Sequence, residues 1–238
     1  MTPEISIVVP VFNEAGAIAG LVGEIEQAFA GRSYEIIVVD DASRDATRAA
    51  LSALKPTTPA LRLLGHRRNA GQSRSIRTGV LAARGSIVVT LDGDGQNDPA
   101  EAPALVEALA SDPALGLVGG QRVDRKDGRG KRLASALGNG VRRRILGDGA
   151  IDTGCGLKAF RREAYLRLPY FDHMHRFLPA LFLREGCGVA YRPVIGRARR
   201  FGVSKYTNLG RLWVSIWDLA GVVWLNARAR DPGGADEL

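Results

Sequence analysis

Uninterrupted runs of β-branched and aliphatic residues alternate along this chain with stretches in which apolar positions recur every three or four residues. Residues 5–11, 36–39 and 87–91 are apolar almost throughout. Such runs mark strands covered on both faces, as in a parallel sheet. Residues 15–30, 46–54 and 71–83 have the helical spacing, and a short strand at 61–64 precedes the third of these. Strand alternating with helix predicts an α/β fold, a Rossmann-like, mostly parallel sheet flanked by helices. In such sheets ligands bind outside the carboxyl ends of the strands.

Three of the strands run directly into acids. Residues 5–11 lead into Phe12-Asn13-Glu14, 36–39 into Asp40-Asp41, and 87–91 into Asp92-Gly93-Asp94-Gly95-Gln96. Asp92 and Asp94, one residue apart, can reach one divalent ion, and Gln96 can add a neutral oxygen. Oxygen-only ligation suits Mg²⁺ or Mn²⁺, with phosphate oxygens of a substrate as further ligands. An Asp-Gly dipeptide alone is also an ordinary turn. Here Glu14, Asp40, Asp41, Asp92 and Asp94 converge on one sheet edge, although the protein carries a net charge of +8. Those acids would repel one another without a cation or donors to engage them, and this favours the metal site.

The 238 residues can bury a core without disulfides, and the two cysteines, Cys155 and Cys187, show no framework or metal-ligand spacing. Cys155 reads as a small residue in a tight turn. His173 and His175 read as packing beside a groove, since no third metal ligand is evident. No basic-then-apolar signal segment opens the chain, and we expect a cytoplasmic protein.

An apolar run at 212–225, interrupted by Asp218, is too short to span a bilayer. Trp213, Trp217 and Trp224 fall on one helical face, flanked by Arg211, Arg228 and Arg230. A C-terminal amphipathic helix at 209–230 lying on an anionic leaflet is one reading, and a core-packing helix is the other. Residues 1–208 form one domain in this reading, and 231–238 a flexible tail. Basic clusters at 122–144 and 197–205 imply a polyanionic partner. Nucleic acid is disfavoured, because the clusters lack interleaved aromatics.

Taken together, Val9-Pro10-Val11-Phe12-Asn13-Glu14, Val38-Val39-Asp40-Asp41-Ala42-Ser43, Leu91-Asp92-Gly93-Asp94-Gly95-Gln96, Asp152-Thr153-Gly154-Cys155-Gly156 and Gly202-Val203-Ser204-Lys205-Tyr206 resemble family 2 glycosyltransferases. The resemblance is to the polyprenyl-phosphate branch, which includes dolichol-phosphate mannosyltransferase. It implies a GT-A fold and a metal-dependent, inverting transfer of a hexose from GDP-mannose or a UDP-sugar to a polyprenyl phosphate. Pro10, Phe12, Asn13, Glu14, Asp40, Asp41, Asp92, Gly93 and Asp94 would surround the nucleotide, with Asp92, Asp94 and Gln96 at an Mg²⁺ or Mn²⁺ ion. Arg122, Lys131, Arg132 and Ser135 would receive the acceptor phosphate, and Arg200, Ser204 and Lys205 would close over the donor phosphates. Asp92, Asp94 and Arg122 would carry the catalysis. The stretch His66-Arg67-Arg68-Asn69-Ala70-Gly71-Gln72 departs from the Asn-Arg-Gly type of many relatives.

The resemblance also implies an enzyme peripheral on the inner face of the plasma membrane, in contact with anionic lipid. Many relatives continue into two transmembrane helices, so a partner membrane protein would supply that anchor here. A phosphate acceptor is already an anionic nucleophile and needs cations rather than a general base. A hydroxyl acceptor would need a base, with Asp152 or His173 as the candidate. A binding protein without turnover is the third alternative.

Overall fold

The computed structural model describes residues 2–123, 140, 142–197 and 208–230, the last span as backbone alone through residue 213. Its strands are β1 (Ile5–Val11), β2 (Tyr34–Asp40), β3 (Leu61–Gly65), β4 (Ile87–Thr90), β5 (Leu115–Arg122), β6 (Lys158–Arg161) and β7 (Gly188–Val194). They form one sheet in the order β3-β2-β1-β4-β6-β5-β7. All pairings are parallel except those of β6, which runs antiparallel between β4 and β5.

The pleat explains the unbroken apolar runs. Ile7, Val9, Ile36 and Val38 point into one core layer with Ile18, Leu21 and Ile25 of α1 (Ile18–Ala28), Leu51 of α2 (Thr47–Leu54), and Leu105 and Leu109 of α4 (Ala102–Ser111). Val8, Ile37 and Val39 point the other way, against Ile76 and Val80 of α3 (Gln72–Ala82). That second layer continues through Tyr165 of α5 (Arg162–Arg167), Leu181 and Phe182 of α6 (Leu178–Arg184), and Val222 of α7 (Asn208–Ala227). A strand buried on both sides has no polar face to show.

The first helix begins at Ile18 rather than at residue 15, because the N–H groups of Ala17 and Ile18 both turn back to the Glu14 carbonyl. Glu14 is thereby left at the tip of β1, beside the sheet edge. Register brings the other strand ends level with it, pairing Val11 with Asp40 and Asp40 with Gly65. Since β6 is reversed, its first residue, Lys158, pairs with Thr90. The Gly154–Gly156 turn before β6 therefore reaches the same edge as the acids.

At the opposite edge a buried carboxylate ties three segments. Glu35 accepts from Ser6 Oγ at 2.7 Å, from the Arg84 N–H at 2.7 Å and from Arg62. Burial alone would raise its pKa, but these donors more than offset it and the pKa is lowered. A carboxylate with a lowered folded pKa stabilises fully above its unfolded value, about 4.3, and loses that contribution as pH falls through the folded value. Glu35→Ala should therefore cost about 2–3 kcal/mol at pH 7, by leaving buried donors unpaired. The gap from wild type in urea unfolding should shrink when the measurement is repeated below about pH 4.

Candidate active site

A cleft of about 480 Å³ opens at the carboxyl edge of the sheet. Pro10, Phe12, Glu14, Asp41, Asn69 and Gly71 line one end, Asp92, Gly93, Asp94 and Gln96 its middle, and Thr153, Gly154, Cys155, Gly156, Lys158, His175 and Arg176 the other. Gly93 lets the ends of β1 and β4 meet, since a Cβ there would sit 2.9 Å from the Pro10 carbonyl oxygen.

Asp92 is held from several sides. Its Oδ1 accepts from Gln72 Nε2 at 2.7 Å, and its backbone N–H donates to Asn97 Oδ1 at 3.3 Å. The carboxylate lies directly over Gly156, where any Cβ would collide with it. Burial raises its pKa to about 6, with the Asp94 charge adding to the rise and Lys158 and Arg122 opposing it. Asp94 Oδ1 accepts the Gln96 N–H at 3.1 Å, which turns the chain so that Gln96 also faces the cleft.

A carboxylate displaced toward protonation by a second carboxylate gains from a cation between them, and the donor set here is oxygen only. Among the described residues no group of three or more His, Cys, Asp or Glu side chains converges as a complete metal cage. Two carboxylates and an amide leave positions for substrate oxygens and water, which fits Mg²⁺ or Mn²⁺.

Adjacent acids after β2 take different roles. Asp41 lines the cleft and accepts from His66 Nδ1 at 2.7 Å, the Ala70 N–H at 2.9 Å and the Gly71 N–H at 2.8 Å. It fixes the loop that delivers Asn69 and Gln72. Asp40 points away and grips Arg48 through Nε at 2.9 Å and Nη2 at 2.7 Å, while accepting the Ser43 N–H. Burial opposes its ionisation, but Ser43 and Arg48 lower its pKa. Asp40 thus pairs with Arg48 at the turn and is not among the residues lining the cleft. Asn13 likewise turns aside, its Oδ1 accepting the Arg44 N–H at 2.7 Å.

Arg122 lies at the end of β5. Its Nε and Nη2 grip Asp152 at 2.6 and 3.0 Å, and neither residue is among those lining the cleft. Arg122 is thus a paired cation behind the wall, and Asp152 a carboxylate engaged bidentately rather than poised as a base. Lys131, Arg132, Ser135, Arg200, Ser204 and Lys205 lie outside the described residues.

The two histidines diverge. His173, with φ of 63°, directs Nδ1 to Asp218 of α7 at 3.1 Å. His175 turns into the cleft, with Nδ1 2.7 Å from Ser73 Oγ. Cys155 is buried, and burial raises its pKa, so it stays a thiol. Sequence reasoning passed over Gln72, Lys158 and Arg176 as cleft residues. The one available signal was Lys158 itself, a lysine opening a strand whose neighbours are apolar.

This fold and site define a GT-A-type transferase scaffold, and the comparisons agree. Residues 6–168 match the family described as glycosyl transferase family 2, to which the chain belongs. Dodecaprenyl-phosphate galacturonate synthase of Rhizobium johnstonii is 35% identical over 236 residues, covering 97% of this chain and 69% of that protein. The undecaprenyl-phosphate 4-deoxy-4-formamido-L-arabinose transferase of Edwardsiella ictaluri is 36% identical over 90% of this chain, which spans 66% of that relative's length. Glucosyl-3-phosphoglycerate synthase from Mycobacterium tuberculosis, solved with Mn²⁺, UDP and phosphoglyceric acid, aligns with a TM-score of 0.70 at 23% identity, over 97% of this chain and 81% of that one. A form of that enzyme with Mg²⁺ and UDP also gives 0.70, at 21% identity. At that identity the likeness establishes the fold.

Gly156→Ala should displace the Asp92 carboxylate without unfolding the chain. Calorimetry should show Mn²⁺-dependent UDP or GDP binding at least about tenfold weaker, with the melting transition retained. Unchanged affinity would refute this placement of Asp92.

Proposed function

We propose that this chain is a metal-dependent, inverting glycosyltransferase that moves a sugar from a nucleoside diphosphate to a polyprenyl phosphate. One observation carries the choice of acceptor: among the described residues lining the cleft, no carboxylate lies at its Thr153–Arg176 end. The carboxylates lining the cleft, among the described residues, are Glu14, Asp41, Asp92 and Asp94, all toward the nucleotide and metal positions. Asp152 is engaged by Arg122.

His175 is unsuited to be a base as well. Ser73 Oγ accepts the His175 backbone N–H at 3.3 Å, and its own hydroxyl hydrogen finds its acceptor among the described contacts at His175 Nδ1. With the ring proton assigned to Nε2, the Nδ1 lone pair is engaged by the Ser73 hydroxyl and is not free to act as a base. A hydroxyl nucleophile would stall in such a site. A phosphate monoester oxygen arrives already charged and needs no proton removed. The relatives named for dodecaprenyl- and undecaprenyl-phosphate products support the same acceptor.

In this reading Asp92, Asp94 and Gln96 hold Mg²⁺ or Mn²⁺, and the chemistry such an ion supplies is neutralisation of the departing diphosphate. Gln72 keeps Asp92 oriented and Asp41 keeps the loop at 66–71 in place around the nucleoside. Attack from the face opposite the diphosphate inverts the anomeric carbon. Arg122 acts through Asp152 in shaping the 152–156 turn, and the basic residues Lys131 and Arg132, with Ser135, receive the lipid phosphate. Arg200, Ser204 and Lys205 close on the donor phosphates.

Helix α7 supplies the contact with the membrane surface. No helix among the described residues is long and apolar enough to cross a bilayer. Yet Trp217 is 73% exposed and Trp224 59%, with Ile216 and Val223 also exposed, while Val222 anchors the opposite side in the core. Two solvent-facing tryptophans above a basic C-terminal end fit an interfacial helix on anionic lipid better than a core-packing one. We place the protein peripherally on the cytoplasmic leaflet, in reach of a membrane partner.

A panel of UDP- and GDP-sugars with a short polyprenyl phosphate, scored by mass of the lipid product, tests the reaction. Transfer should require Mn²⁺ or Mg²⁺ and stop in chelator, and Asp94→Ala should lower it at least about a hundredfold. Equal turnover in chelator, or an α-linked product by NMR from an α-linked donor, would overturn the reading. Separately, Trp217→Ala with Trp224→Ala should reduce sedimentation with vesicles containing phosphatidylglycerol at least about tenfold, with UDP affinity unchanged.

A further inference from the structure

Three side chains with hydrogen-bond donors, Lys158, His175 and Arg176, share one end of the cleft with Thr153. Lys158, at the start of β6, is buried, and its Nζ donates to the Cys155 carbonyl. An ammonium has three hydrogens to place, so two remain for what enters the cleft. His175 offers Nε2–H by the assignment above. Arg176 lines the same wall while its Nη1 donates to Ser215 Oγ at 3.2 Å. Two of the cleft carboxylates are already engaged: Asp92 with Gln72 and the metal position, and Asp41 with the loop at 66–71.

A sugar hydroxyl brings a hydrogen that needs an acceptor. A carboxylate brings none and takes several donors. Resting on the nucleotide-sugar reading above, we propose that Lys158 and His175 are specificity-determining residues that bind a carboxylate on the donor sugar, so that the donor class is a nucleoside-diphosphate uronate.

The energetics favour this pairing. Burying an ammonium is costly unless an anion accompanies it. The Asp92 charge is shared with Asp94 and the metal position, so an arriving carboxylate adds a counter-charge beside the buried Lys158 ammonium. Burial first, then the nearby charges of Lys158 and Arg176, hold the His175 pKa well below its ordinary value. Its imidazole therefore stays neutral and directional, locked by Ser73. One rotatable charged donor beside one fixed neutral donor matches the two oxygens of a carboxylate. A neutral hexose would leave the Lys158 charge uncompensated in the closed site.

The test uses matched donors differing only at C6: UDP-galacturonate with UDP-galactose, UDP-glucuronate with UDP-glucose, and GDP-mannuronate with GDP-mannose. Each is scored by displacement of Mn²⁺-dependent UDP or GDP binding and by transfer to a polyprenyl phosphate. In at least one pair the wild-type protein should bind the uronate at least about tenfold more tightly than its neutral partner. Lys158→Met should abolish that preference while UDP or GDP itself binds within about threefold of wild type, and His175→Gln should weaken it by a smaller factor. Equal or reversed preference in every pair overturns the proposal, as does a Lys158→Met protein that keeps the preference. Should Lys158→Met fail to fold, the wild-type ratio and His175→Gln decide. Binding preference without any transfer would defeat the proposed reaction while supporting this inference, and transfer without preference would do the reverse. Absence of all nucleotide binding would overturn both.

Discussion

Two carboxylates held side by side repel each other, and the cleft is organised around keeping Asp92 and Asp94 together regardless. Asp92 has no room to swing away, because Gly156 is packed beneath it and Gln72 holds its outer oxygen. Burial first, and the Asp94 charge second, push its pKa up to about 6. Protein cations offset that rise only in part: Lys158 is in electrostatic reach of Asp92 but bonded to a carbonyl, and Arg122 is spent on Asp152. What remains is a site whose charge balance is completed from outside the chain.

The reversed strand β6 makes that arrangement geometrically available. In a wholly parallel sheet every strand would bring its carboxyl end, and the loop after it, to the cleft. Because β6 runs antiparallel between β4 and β5, it brings its amino end instead, so Gly154–Lys158 faces Asp92 across the β4 pairing of Thr90 with Lys158. Thr90 Oγ1 fastens the junction by donating to the Gly156 carbonyl at 2.8 Å. The glycine under the acid and the lysine beside it are therefore consequences of one topological choice.

Much of this could be read from the chain alone, for a physical reason. Strands buried on both faces must be apolar throughout, so β1, β2 and β4 declare themselves, and acids placed directly after them are bound to meet at one edge. Finer assignments depended on the pleat. Asp40 and Asp41 are consecutive, and successive residues of an extended chain point to opposite sides. Only the observed twist shows that Asp41 faces the cleft while Asp40 faces Arg48. The Arg122–Asp152 pair spans 30 residues, and no local pattern reveals that a basic residue has its counter-ion so far along the chain. Gln72 and Arg176 are ordinary polar residues at helix starts until tertiary packing turns them inward. The first helix was expected at residue 15 because alanines carry no stop signal, whereas the Glu14 carbonyl closes a turn there.

The far wall of the cleft and the exposed C-terminal helix form one mechanical unit. Arg176 lines the cleft and also donates to Ser215 on α7; His173, two residues from His175, meets Asp218 on the same helix. Buried Arg142 holds the Arg176 carbonyl through Nη2 at 3.2 Å and is ion-paired with Asp148, which steadies the 173–176 segment itself. Val222 fixes α7 from beneath, so the helix is pinned along its inner side while Trp217 and Trp224 stay outside. A load on the outer face of α7 is therefore carried first by side chains that reach the 173–176 segment. Through His173 and Arg176 the 173–176 segment joins the wall of the cleft to α7.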